Sequence, residues 1–275
     1  MRISVVHTTT YHYDPPVNGV IQTLRLTPRN HEGQYVMRWR VEVSANCRLG
    51  QHEDAFGNVI HNFAAEGRLD SLSVHVEGDV ETQDTAGVVR GAVERFPPGL
   101  FLRESQLAHA DAAIATFAEK CEADANGDPL TLLHTIQSRL HQDITFDTDP
   151  THVATTAAEA FALKRGVCQD FAHILIAACR NRGIPARYVS GHLMRADGVV
   201  FQDAGHAWAE AHIPDLGWVA SDPANGICAT EAYVRVAVGL DYLSAAPVRG
   251  TRFGGGFEKL TVEVHVDQSG RQMQS

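Results

Sequence analysis

The feature that most constrains the fold is a strand–turn–strand pattern that ends in an aspartate. Polar and apolar residues alternate from His206 to Ile213, which is the period of a β-strand. A turn signal at 214–217 and a return strand at 218–222 follow. Paired residues of an antiparallel hairpin have a constant sum, so a turn centred on residue 214 pairs His206 with Asp222. A centre one residue later makes them diagonal neighbours on one face, and either arrangement leaves their Cβ atoms roughly 5–8 Å apart.

A second pattern places a cysteine at the start of a helix. Gly166 precedes Cys168, and the apolar residues after it recur at helical spacing until Gly183 and Pro185 mark the end. Unpaired N–H groups and the positive end of the helix dipole favour a thiolate at this position. The chain has five cysteines, an odd number with irregular spacing, which favours reduced thiols over a disulfide framework. The other four are predicted to be structural: Cys47, Cys121, Cys179 and Cys228.

Three residues have the types that thiol catalysis requires: a nucleophile, its base and a residue that orients the base. They are Cys168, His206 and Asp222. If the fold joins the helix to the hairpin, the three would attack acyl carbons. A structural interpretation also stands: a buried cysteine, a strand histidine held by a neighbour, and an aspartate in a turn before Pro223.

Three further residues are candidate substrate-binding groups. Asp170 falls in the first turn of the predicted helix, where stabilising the helix N-terminus is the simpler role. Trp208 and Trp218 are predicted to share the hairpin face of His206 and Asp222. Core packing is their default role, although either could wall an acyl-binding groove.

Charge and composition argue against several classes of partner. The net charge is −10, and Lys164-Arg165 is the longest basic run, which disfavours nucleic acid and anionic membranes. The first residues turn polar too early for a signal peptide, and no apolar run approaches the roughly 20 residues of a membrane span. A cytoplasmic location is therefore expected.

No cofactor or metal is expected either. The sequence lacks C-x-x-C, H-E-x-x-H and a Gly-rich phosphate loop between a strand and a helix. A zinc site is a weaker alternative, and its ligands would be Cys168, His173, His206 and His212.

The chain divides by pattern into four parts. Residues 1–85 alternate with period two, at 35–43 and 72–76 for example, and predict an antiparallel β-sandwich or open barrel. A connector follows at 86–100. Residues 101–268 hold predicted helices after Asp128-Pro129, at 156–163 and from Cys168, then the hairpin and a last strand. A polar tail occupies 269–275.

These motifs resemble the bacterial transglutaminase-like cysteine proteins over nearly the whole chain. The matching segments of this chain are 11–13, 24–29, 54–58, 166–173, 206–208, 222–226 and 236–242, together with Trp218. The resemblance implies an α+β fold, in which a β-rich N-terminal domain precedes a papain-like core of helices packed on an antiparallel sheet. It also implies that Cys168 is the nucleophile, His206 the base and acid, and Asp222 the orienting residue.

Two positions depart from the family pattern. Leu240 stands where an arginine usually follows a glycine, and Tyr233 lies near a position where a histidine is common. These departures predict a different substrate preference without affecting the triad.

The leading functional hypothesis is a thiol hydrolase of amide, peptide or isopeptide bonds that acts through a thioester on a peptide or protein substrate. Acyl transfer to an amine is the first alternative, and a non-catalytic peptide-binding or scaffold protein is the second. Exposed strands in the N-terminal domain would allow a homo-oligomer.

Overall fold

The computed structural model describes residues 1–268 as two main antiparallel sheets, with helices packed against the second sheet. The predicted tail at 269–275 lies outside the described residues. Within 1–268 the first sheet consists of β1 (Arg2–Thr27), β2 (Gln34–Val43), β3 (Gly50–Glu53), β4 (Val59–Thr82), β9 (Phe201–Gln202), β14 (Val248–Gly254) and β15 (Phe257–Gln268).

The second sheet follows the order β12-β11-β10-β8-β13 over the described residues, with β5 paired to β11. Its strands are β5 (Val88–Val89), β8 (Ala186–Leu193), β10 (His206–Ile213), β11 (Gly217–Asp222), β12 (Ile227–Cys228) and β13 (Tyr233–Gly239). A short parallel pair is formed by β6 (Thr145–Phe146) and β7 (Arg165–Gly166).

The helices found in residues 1–268 include a short 3₁₀ turn at Pro98–Leu102, and the α-helices are α1 (Ala112–Ala125), α2 (Pro129–Asp143), α3 (Ala157–Leu163), α4 (Cys168–Asn181) and α5 (Tyr242–Ala245). None of these helices is long and apolar enough to cross a membrane. The predicted α+β class, with a β-rich N-terminal part and helices on an antiparallel sheet, is confirmed.

The helix signals in the sequence correspond to real helix starts. Asp128 caps α2 by accepting from Thr131 N at 2.8 Å, and Pro129 is its first residue. Cys168 is the first residue of α4. α1 was not predicted, because alanines dilute its apolar face, although Asp111 caps it by accepting from Ile114 N.

The last two strands belong to the first sheet. β14 and β15 pair along one edge of β1, and β4 pairs along the other edge. The predicted division of the chain had assigned 248–268 to the core, but backbone pairing joins these residues to the N-terminal sheet. Alternation within one strand cannot reveal this, since a strand's partner is set by contacts far away in sequence.

Two buried amide side chains dock the first sheet onto β13. Asn58 donates to the Val238 carbonyl and accepts from the Val238 N–H, both at 2.8 Å. Gln34 makes the same pair of bonds with the backbone of Arg235, at 2.9 and 2.8 Å. Each amide satisfies one donor and one acceptor of the strand, so the N-terminal sheet is fixed directly beside the second sheet.

Gly191 allows β8, β10 and β13 to pack closely at the end of the second sheet that carries His206. A Cβ at this position would overlap the carbonyl oxygen of Val234 and lie 2.7 Å from Cη2 of Trp208. We therefore expect Gly191→Ala to lower the free energy of unfolding by about 1–3 kcal/mol, as overpacking does in cores.

Urea unfolding monitored by circular dichroism would measure this change. Gly99→Ala is the matched control, because nothing lies within 4 Å of a Cβ there. Equal stability of the Gly191 and Gly99 variants would contradict the packing argument.

Candidate active site

Cys168 is held at the helix start by a buried carboxylate. Asp170, which is 1% exposed, accepts from Val167 N at 2.8 Å and from Thr151 Oγ1 at 2.7 Å. Gly166 leaves room for it, since a Cβ there would lie 2.6 Å from Asp170 Oδ2. Burial raises the pKa of Asp170, and these hydrogen bonds only partly oppose the rise.

Asp170 is therefore tied to the loop before Cys168. This is the arrangement of the helix-stabilising role that the sequence favoured.

The hairpin brings His206 and Asp222 together. The pairing of Ala209 with Ser221 gives a sum of 430, so the turn is centred on residue 215. His206 and Asp222 are thus diagonal neighbours, which is the second of the two predicted registers. His206 Nε2 lies 2.6 Å from Asp222 Oδ2.

Asp222 is fully buried and accepts hydrogen bonds on both oxygens. Besides His206, Oδ2 accepts from Asn225 Nδ2 and Tyr233 Oη, each at 2.7 Å. Oδ1 accepts from the backbone N–H groups of Ala224 at 3.0 Å and Asn225 at 3.2 Å. Burial favours the neutral acid, but the hydrogen bonds and the charge of His206 outweigh it and lower the pKa of Asp222.

Asn225 and Tyr233 lie outside the predicted site residues, yet both belong to this network. Asn225 lies in the turn after Asp222, where asparagine is a common residue, and its side chain reaches back to the Asp222 carboxylate. Tyr233 departs from the family pattern, and no local signal predicts a role for it. Its contact joins residues eleven positions apart through β13, which a local pattern does not reveal.

Cys168 completes the arrangement, because it lies close enough to His206 to interact with the imidazole and to raise its pKa. Burial alone would lower the pKa of His206. The charges and hydrogen bonds of Cys168 and Asp222 outweigh this and raise that pKa to about 10. Since Nε2 faces Asp222, Nδ1 is the ring nitrogen left for the thiol. The group can hold a thiolate beside a protonated imidazole.

The two tryptophans have different surroundings. Trp208 is 1% exposed, and its ring stacks against His206 and meets Tyr233 edge-on, with centroid distances of 6.1 and 5.3 Å. Trp218 lies instead under the Arg187 guanidinium, 3.8 Å from its ring centre, with Phe101 against its edge. Trp208 thus supports the histidine from behind, whereas Trp218 belongs to the packing beneath the connector.

Cys168 and His206 lie side by side, but His173 and His212 do not complete the alternative zinc site with them. His173 Nε2 accepts from Tyr242 N at 3.0 Å, and His212 lies against Trp218. Within residues 1–268, no group of three or more histidine, cysteine or acidic side chains is arranged to hold a metal ion.

Tyr233 offers a direct test of the network around Asp222. Tyr233→Phe removes one donor from a buried carboxylate, which should lower the free energy of unfolding by about 1.5–3 kcal/mol. Chemical denaturation of the purified variant would measure the loss. Tyr35→Phe removes a hydroxyl from a side chain that is 58% exposed, and should change stability by less than about 0.5 kcal/mol. Equal effects of the two substitutions would argue against the buried hydrogen bond.

Two family models match the chain. The model described as the bacterial transglutaminase-like N-terminal region covers residues 3–81, and the model described as the transglutaminase-like superfamily covers residues 115–223. The second match includes Cys168, His206 and Asp222.

This chain is similar to several known proteins in sequence and to a solved structure in fold. An uncharacterised protein of Mycobacterium leprae is 30% identical, over 96% of this chain and 98% of its own length. A protein-glutamine gamma-glutamyltransferase of Pseudomonas aeruginosa is 28% identical over 148 residues, which span 48% of this chain and 22% of that protein. The solved structure of a candidate cysteine protease from Cytophaga hutchinsonii shares the fold, with a TM-score of 0.77, 19% identity, and coverage of 99% and 92% of the two chains.

Proposed function

The chain belongs to the transglutaminase-like superfamily, and from this premise we propose that it is a thiol-dependent hydrolase of amide, peptide or isopeptide bonds. One observation carries the proposal. Cys168 lies beside His206 and raises the pKa of its imidazole, and Nε2 of His206 lies 2.6 Å from the buried carboxylate of Asp222. This is the order of contacts that activates a thiol for attack on a carbonyl carbon.

The proposed reaction begins with proton transfer from Cys168 to His206. The sulfur then attacks the carbonyl carbon, and the Cys168 N–H at the helix start donates to the oxyanion. The C–N bond breaks as His206 returns the proton to the departing nitrogen, which leaves a thioester on Cys168. Water attacks the thioester while His206 accepts its proton, and the carboxylic acid product and the thiol are released.

Asp222 acts on the base and not on the substrate. It holds His206 with Nδ1 toward the sulfur, and its negative charge stabilises the imidazolium that forms after proton transfer. Its five hydrogen bonds supply the solvation that burial removes. We expect Asp222 to remain ionised through the cycle.

Acyl transfer to an amine is a second candidate function. The similarity to the Pseudomonas aeruginosa protein-glutamine gamma-glutamyltransferase supports it. Both reactions share the same thioester and differ only in whether water or an amine attacks it. The substrate of either would be a peptide or protein. The five cysteines of the chain are all unpaired, and we propose a reducing, cytoplasmic setting in which the thiol stays available.

We expect Cys168 to react with iodoacetamide well below pH 8.5, because a neighbouring imidazolium stabilises its thiolate. An ordinary thiol ionises near that pH. The raised pKa of His206 means that the imidazolium persists from acidic solution up to about pH 10. Mass spectrometry of labelled peptides across pH would follow each cysteine separately. Cys47 is an internal reference, since burial raises its pKa.

His206→Ala should abolish the low-pH labelling of Cys168. His134→Ala is the matched control, because His134 lies 3.6 Å from the thiol of Cys228 and should leave Cys168 unaffected. Labelling of Cys168 that rises only near pH 8.5 in the wild type would rule out the ion pair.

Hydrolysis and transfer should differ in their need for an acceptor. With a panel of glutamine-containing and isopeptide-linked peptides, we expect release of ammonia or amine without any added amine, and loss of this activity in Cys168→Ala. Mass spectrometry would distinguish a carboxylic acid product from an amine adduct. Turnover that requires a primary amine would favour the transferase instead.

A further inference from the structure

Residues 146–153, which precede α3, lie directly against the start of α4, where Cys168 is the first residue. Phe146 pairs with Gly166, and Asp147 N donates to the Gly166 carbonyl at 2.8 Å. Further along, Gln169 Nε2 donates to the carbonyl of Val153 at 3.3 Å. Both ends of this segment are therefore fixed beside the first residues of α4.

Two apolar side chains of residues 146–153 are exposed to solvent. Phe146 is 56% exposed and Val153 is 61% exposed. Their backbones are tied within two residues of Cys168, so their positions are set by the same contacts that set the nucleophile.

A third exposed apolar residue lies beside the other end of the triad. Ile227 in β12 pairs with Asp222 and is 46% exposed. The side chains of Phe146, Val153 and Ile227, here called the apolar rim, thus belong to segments bonded to the two opposite ends of the Cys168–His206–Asp222 arrangement. Substrate sites are commonly apolar surfaces around a few polar groups, and a hydrolase needs its substrate to lie across the nucleophile.

The charge near the apolar rim further restricts the kind of ligand that can bind there. Asp149 is exposed in the segment between Phe146 and Val153, whereas Asp147 is paired with Arg165. Among residues 1–268 the Asp149 carboxylate has no ion-pair partner, and its free negative charge disfavours an acidic ligand.

We propose that the apolar rim selects peptides with an apolar, non-acidic side chain next to the acyl group that Cys168 attacks. This rests on the proposed thiol chemistry and adds a substrate class to it. The rim contacts the substrate's side chain and takes no part in proton transfer.

Three alkylating probes separate substrate preference from thiol reactivity. Iodoacetamide reports the nucleophile alone. N-acetyl-leucyl and N-acetyl-asparaginyl chloromethyl ketones carry the same reactive group with side chains of similar shape and opposite polarity. We expect the leucyl probe to inactivate Cys168 about tenfold faster than the asparaginyl probe, because burying an aliphatic side chain is worth at least that factor. An aspartyl probe should be the slowest.

Serine substitutions then locate the preference. Phe146→Ser, Val153→Ser and Ile227→Ser should each reduce the leucyl-to-asparaginyl rate ratio, and the triple variant should bring it close to one. Iodoacetamide rates should change by less than about twofold, since the triad is untouched. Ile21→Ser is the matched control, because Ile21 is 61% exposed on the first sheet, and it should keep the wild-type ratio.

The outcomes separate the two proposals. Equal leucyl and asparaginyl rates in the wild type, or an unchanged ratio in the triple variant, would overturn the apolar rim while leaving the reactive thiol in place. Slow iodoacetamide labelling of wild-type Cys168 at neutral pH would overturn the thiol chemistry, and the apolar rim with it.

Discussion

The arrangement at the candidate site depends on one buried carboxylate, that of Asp222. Burying a charged group costs free energy unless hydrogen bonds replace the lost water. Five donors do so for Asp222. These donors come from β10, from the turn after β11 and from β13. The second sheet must therefore be assembled before the carboxylate is satisfied. Once the carboxylate is satisfied, it fixes Nε2 of His206, and Nδ1 is left to face Cys168.

Local patterns in the sequence were sufficient for the elements that carry the predicted triad. The alternation in β10 and β11 defined the hairpin, and its turn limited His206 and Asp222 to two registers, of which the structure adopts one. The glycine and the apolar run around Cys168 defined the start of α4. These signals are reliable because hairpins and helix ends are set by residues close together in the chain. The catalytic roles of the three residues stay predictions.

Features that depend on distant contacts could not be read in the same way. Tyr233 bonds Asp222 across the sheet, and Trp218 packs under Arg187 although it shares a strand with Asp222. The pairing of β14 and β15 with β1 joins residues separated by more than 200 positions, so alternation could predict the last strand but not its neighbours. α1 shows a different limit, since a helix rich in alanine has little periodicity to detect.

The position of β15 beside β1 has a consequence for how the protein forms during synthesis. β1 is made early, but the strands that cover one of its edges emerge only when residues 248–268 leave the ribosome. Until then the nascent chain carries a long strand with unpaired N–H and C=O groups, which other chains could pair with. Contacts of such high sequence separation also slow folding. The first sheet is thus completed only after the residues of the candidate site have been synthesised.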